Sequence, residues 1–122
     1  MTLTFTSNIE QNGQKNKIEF SSEVQVTREG NFKIYEFQDP SSGVFNRVEI
    51  SNKFVNIFAG PSTINIALNK SLDNAFQTPA GLQTLNSYMT ELKSGKGVDE
   101  FTYTLSLNGT LFGKYNITLL IK

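Results

Sequence analysis

The apolar residues of this chain fall at every second position, in short runs broken by turn residues. A period of two belongs to a strand with one face buried, whereas a surface helix needs about 3.6. Parity makes the pattern testable. In an antiparallel pair with a two-residue turn, facing residues have a fixed index sum, so the apolar faces of both strands must coincide. Asn12-Gly13 is a strong turn of this kind, because both positions favour positive φ. It sets Phe5 opposite Phe20 and Ser7 opposite Ile18, so Leu3, Phe5 and Ile9 share a face with Ile18, Phe20, Val24 and Val26. A turn at Asn52-Lys53 sets Ile50 against Val55 and Val48 against Ile57. Another at Gly60-Pro61 sets Ile57 against Ile64 and Val55 against Ile66. Three successive strands thus share one apolar face, and Pro61, which lacks an N–H, sits at a turn where it costs no ladder bond.

Other segments are less determined. Asn31 to Asp39 reads as a strand ending in the turn Asp39-Pro40-Ser41-Ser42-Gly43. Either Phe32 and Ile34 or Tyr35 and Phe37 face its core, depending on the turn at Glu29-Gly30. In the last hairpin a two-residue Asn108-Gly109 loop would set Tyr103 against Lys114 and mix the faces. The expectation is an odd-length loop with Gly109 as a left-handed bulge residue. Thr78 to Gly95 supports two readings. Thr78 and Pro79 could open a helix carrying Leu82, Leu85, Met89 and Leu92. A strand would instead put Leu85 and Met89 on one face after a turn at Pro79-Ala80.

Many short strands with turns every 8–12 residues indicate a sandwich or barrel. Successive hairpins favour an up-and-down meander, which closure relieves of exposed edges. The expectation is one all-β domain over residues 1–122, an antiparallel up-and-down barrel of about eight to ten strands. A chain of 122 residues can support such a core without staples.

Short stretches along the whole chain resemble one family. They are Ser7-Asn8-Ile9-Glu10, Lys17-Ile18-Glu19-Phe20, Tyr35-Glu36-Phe37, Val55 to Gly60, Thr78-Pro79-Ala80-Gly81, and the closing hairpin from Tyr103 to Ile121. In these the chain is similar to the YwiB-like family of small uncharacterised bacterial proteins. That resemblance implies a calycin-like (lipocalin-like) β-barrel, a strand rather than a helix after Gly81, and no known activity. An arginine common in that pattern two residues before the matching glycine is Phe58 here.

The absence of histidine and cysteine removes the usual general base, the usual thiol nucleophile and the commonest transition-metal ligands. No catalytic motif, metal site or cofactor is expected. The 11 basic and 11 acidic residues balance, so no nucleic-acid footprint is expected. The chain lacks an apolar run long enough for a membrane span and a start like a signal peptide, and the expected location is cytoplasmic. The carboxylates read as solvated surface, with Asp99 and Glu100 on opposite faces. Ser94-Gly95-Lys96-Gly97 fails the phosphate-loop spacing and reads as a turn.

Two functional readings remain. One is a binding module for a small apolar or amphipathic ligand in the barrel, with Tyr35, Tyr88, Tyr103 and Tyr115 as candidate polar contacts. A lumen filled by Phe5, Phe20 and Ile57 would count against it. The other is an interaction or assembly module, such as a homodimer, using Phe45, Phe54 and Phe58 on the face opposite the Val48–Ile57 stripe.

Overall fold

The computed structural model describes residues 1–76 and 79–122, side chains included. The first strands are β1 (Thr2–Gln11), β2 (Gln14–Glu29), β3 (Phe32–Gln38), β4 (Phe45–Ile50) and β5 (Phe54–Ala59). They are followed by β6 (Ser62–Ala67), β7 (Ser71–Thr78), β8 (Gly81–Gly95), β9 (Val98–Leu107) and β10 (Thr110–Ile121). Among the described residues there is no helix, so the strand reading holds for Gly81 to Gly95. Thr78, the proposed helix cap, lies outside the described residues.

The ten strands form one antiparallel sheet in the order β6-β5-β4-β3-β2-β1-β10-β9-β8-β7. The register follows the parity argument: Phe5↔Phe20, Ile50↔Val55 and Ile57↔Ile64 all pair. One join is not a hairpin. β1 pairs with β10 from Leu3↔Ile121 onward, which ties the two ends of the chain together and leaves no edge there. β2 is long enough to turn a corner. Its first part pairs with β1 up to Thr2↔Glu23, and its second part with β3 from Val24↔Phe37. The sheet therefore wraps until its two edges, β6 and β7, face one another in a nearly closed barrel. At that seam the main chain pairs at Ala67↔Lys70 and Leu68↔Met89, and among the described residues no longer ladder joins β6 to β7.

Inward side chains form one core, most deeply buried at its middle and at one end of several strands, although Val26, Leu92 and Ile121 at that end are only partly buried. At one end Leu3, Tyr35, Val48, Ile50, Val55, Ile66, Met89, Phe101 and Leu119 are buried. This end also holds the β8–β9 turn and the chain termini, and it is called the closed end here. Toward the opposite end, with the Asn12-Gly13 and Asn108-Gly109 turns, Phe5, Phe20, Ile57, Ile64, Leu107 and Tyr115 are only partly buried. Phe5 and Phe20 stack with centroids 4.9 Å apart, and Phe37 lies 5.8 and 6.1 Å from them. The middle of the barrel is thus occupied by rings.

Two local expectations needed the structure. In β3 Tyr35 and Phe37 face the core. Ile34 is also buried, on the outer face between Thr27 and Glu49, so an apolar residue of either parity is covered there. The last hairpin corrects the odd-loop expectation. Leu107 pairs with Thr110 across a two-residue loop in which Asn108 and Gly109 have φ of 52° and 80°. The mismatch is absorbed two residues later by a bulge between Leu111 and Gly113. An extra residue within a strand shifts parity as effectively as one in the loop, and leaves the favoured turn intact.

Candidate functional site

At the closed end two opposite charges point inward because each shares parity with core residues. Lys33 alternates with Tyr35 and Phe37 on β3, and Asp99 with Phe101, Tyr103 and Leu105 on β9. Asp99 is 0% exposed. A bare carboxylate would be costly there, and it survives because every side of it meets a donor. Lys33 Nζ lies 2.9 Å from Oδ2, and the Tyr35 hydroxyl donates to the same oxygen. The Ser94 hydroxyl donates to Oδ1. Ser94 reaches it because the bulge between Met89 and Glu91 flips the parity of β8, so that Leu92 and Ser94 turn inward after Leu85, Ser87 and Met89. Lys33 also sits 5.3 Å from the centre of the Tyr35 ring. Burial, then the bond to Asp99, pushes the Tyr35 hydroxyl far above its ordinary value, so it remains a neutral donor. The cluster clamps β3 to β8 and β9 across the barrel.

At the open end the tyrosines are arranged differently. Tyr103 stacks between Phe101 at 6.0 Å and Tyr115 at 5.0 Å. The Tyr115 hydroxyl accepts a bond from Gln11 Nε2 at 2.9 Å. It fits because residue 113 is glycine: a Cβ there would lie 2.7 Å from that hydroxyl. Tyr103 is 6% exposed, and burial raises its pKa. Its hydroxyl makes no hydrogen bond among the described residues, yet no fully buried polar atom there lacks a partner. The Tyr103 hydroxyl is therefore all but buried, with hydrogen-bonding capacity left unused. Beside it, Gln11, Asn12, Leu107, Thr110, Leu111 and Phe112 line a cleft of about 260 Å³. Ile18, which points inward by parity, is 47% exposed.

A family model for a domain of unknown function, DUF1934, matches residues 3–119. The chain belongs to this family. It is 30% identical over 124 residues to an uncharacterised protein of Mycoplasmopsis pulmonis, covering 99% of this chain and 98% of that one. Its fold is similar to the crystal structure of the ywiB protein from Bacillus subtilis, with a TM-score of 0.70 at 15% identity, over 99% of this chain and 90% of that one. At that identity the likeness speaks for the fold alone. The DUF1934 barrel thus arrives without a named activity.

The remaining sequence candidates separate in space. Tyr35 is engaged by Asp99, and Tyr88 lies on the outer face between Ser71 and Thr104. Only Tyr103 and Tyr115 come together. Phe45 and Phe54 are 49% and 42% exposed on the outside, and Phe58 is partly buried beside Arg47. No ring pair links the three. Arg47 nearby bonds Glu49 at 2.8 Å and lies 3.4 and 3.7 Å from Glu29 and Glu36. No group of three or more acidic residues among the described residues could hold a metal ion, and no helix there is long and apolar enough to cross a membrane.

The reading of all carboxylates as solvated surface fails for Asp99, while Glu100 does face outward to Asn116. Parity carried the signal for Asp99, in step with Phe101 and Tyr103; for Lys33 it was open until the structure placed Tyr35 and Phe37 in the core. Ser94 and Gly113 gave no such signal, because each depends on a bulge.

Proposed function

We propose that this DUF1934 protein is a binding module for a small apolar or amphipathic molecule held at the open end of the barrel. The observation behind this reading is the burial gradient. Inward-facing Ile18, Phe5, Phe20, Ile57 and Ile64 are left partly uncovered at one end, while their strand neighbours at the other end are buried. Apolar surface that faces inward yet remains wet gains from being covered, by roughly 25 cal/mol per Å². The Tyr103 hydroxyl supplies one free polar contact beside it, which suits a molecule with a single polar end. Phe5, Phe20 and Phe37 fill the centre of the barrel, which counts against a ligand in the lumen and confines the reading to the mouth. The setting in this reading is the cytoplasm, consistent with a chain free of cysteine.

The test uses 1-anilinonaphthalene-8-sulfonate as an amphipathic probe. Wild type should bind it with enhanced fluorescence, and Ile18→Glu should lower the affinity at least about tenfold while leaving the midpoint of urea unfolding in place. Absence of probe binding by wild type, or equal binding by the variant, removes the reading. A second reading, a homodimer through the outer face, is favoured by the exposure of Phe45 and Phe54. Native mass spectrometry of the same preparation decides it: only a dimer lost on Phe54→Lys supports that face.

A further inference from the structure

The first half of β2 carries an open edge. Residues 14–23 pair with β1, but β3 pairs with β2 only from Val24 onward. Main-chain groups alternate sides along an antiparallel strand. Val24 N–H donates to the Met1 carbonyl at 3.1 Å, so the even-numbered residues of β2 turn these groups to β1 and the odd-numbered ones turn them away. Beyond Val24 the odd-numbered groups meet β3. Those of Lys15, Lys17, Glu19 and Ser21 meet no strand, and no main-chain partner reaches them among the described residues. Each offers an N–H and a C=O, so the four make a run of ladder positions at strand spacing. The open run stops at Ser22, whose hydroxyl donates to the Gln38 carbonyl where β3 leaves. Residues 14–19 are exposed throughout.

The side chains of this run decide what can cover it. An open edge is ordinarily blocked by charge, most often lysine. Here the outer face carries both signs in order, Lys15 and Lys17 before Glu19. Let a second copy approach antiparallel, with a twofold axis at Ile18. Lys17 then stands opposite the partner's Glu19, and Glu19 opposite the partner's Lys17. Both pairs fall at open ladder positions, so each also exchanges two main-chain bonds. An axis at Lys17 or at Glu19 would instead set like charges directly opposite, which destabilises a pair of strands. On the inner face the chosen axis brings Ile18 against the partner's Ile18. That residue is 47% exposed in the single chain, and the pairing covers it.

We propose that two copies of this chain dimerise edge to edge through residues 15–21 of β2, so that the β1–β2 hairpins of both continue as one antiparallel sheet. The contact is isologous: the same run serves both copies, and each ion pair occurs twice. Main-chain bonds hold the two strands together, and the charge order fixes their register. Lys17 and Glu19 already lie 3.7 Å apart within one strand, so the dimer gathers four alternating charges on its outer face. This edge is separate from the outer face of Phe45 and Phe54, and it does not depend on the ligand reading.

The experiment reads the oligomer by native mass spectrometry and light scattering for wild type, Lys17→Glu and Glu19→Lys. Wild type should be a dimer that survives Phe54→Lys. Each single charge reversal sets like charges opposite one another twice and should weaken the dimer at least about tenfold. An equimolar mixture of the two reversed variants should form a heterodimer, because every facing pair there is again of opposite charge. That mixture also controls for folding, since an unfolded variant could not pair. In wild type, hydrogen exchange at the Lys17 and Glu19 amides should slow as protein concentration rises. A wild type that stays monomeric, a dimer indifferent to both reversals, or a mixture that fails to pair would overturn the proposal. Protection of those amides in the monomer would overturn it too, because the chain would then cover its own edge.

Discussion

Replacing Asp99 with asparagine changes one oxygen and no volume, which isolates the charge. In the folded protein Asp99 accepts from Lys33, Tyr35 and Ser94, and it is fully buried. Asparagine keeps one acceptor and presents an NH₂ to the other side. With its NH₂ toward Lys33 and Tyr35 a donor faces an ammonium; with the NH₂ toward Ser94, whose hydroxyl can turn to accept, Lys33 still loses its carboxylate. Breaking a buried pair from one side costs about 3–5 kcal/mol. The Lys33 side chain is 16% exposed, so its ammonium retains some access to water, and the lower figure applies. We expect Asp99→Asn to lose about 3 kcal/mol, or about 10 °C in Tm for a chain of this size. Urea unfolding should show a lower midpoint at constant slope, since the unfolded state is unchanged. Removing both charges, with Lys33→Met added, should cost less than the sum of the single changes, giving a coupling of about 1–2 kcal/mol. An Asp99→Asn protein within about 0.5 kcal/mol of wild type would refute the clamp, because that is the size of ordinary surface changes.

Three further outcomes follow from the same geometry. Burial raises Tyr35 and Tyr103 above their ordinary pKa, so the unfolded chain releases those protons first. Their stabilisation is therefore complete below about pH 10 and falls above it by about 1.4 kcal/mol per pH unit for each; tyrosinate absorbance should rise together with unfolding, and a rise with the fold intact would contradict their burial. Gly113→Ala would put a Cβ 2.7 Å from the Tyr115 hydroxyl and 3.0 Å from Gln11 Cγ. It should cost about 1–3 kcal/mol by urea unfolding, partly recovered by adding Tyr115→Phe. Asn74→Ala leaves the Asn65 N–H without its partner and should cost about 1–3 kcal/mol, with faster hydrogen exchange at that amide.

Hairpin order, register and inward faces were legible in the sequence because they depend on neighbours a few residues apart. A period of two, a two-residue turn and an index sum suffice to place Phe5 on Phe20 and Ile57 on Ile64. The inward parity of Asp99 was written there too, in step with Phe101 and Tyr103, although composition made the carboxylates look like surface; that of Lys33 waited on the face of β3, which the structure fixed. What the sequence could not carry were the steps that break the period. The bulges of β8 and β10 shift parity mid-strand, and so decide that Ser94 points at Asp99 and that Gly113 receives Tyr115. Nor could it carry pairings between distant segments. The β1–β10 closure, the Asp99 clamp across the barrel and the Asn74 bridge at its seam each join residues brought together only by the wrapping of the whole sheet. Local alternation determined what each strand shows to the core. The tertiary structure decided which strands stand opposite one another, and hence which end of the barrel is sealed and which is open.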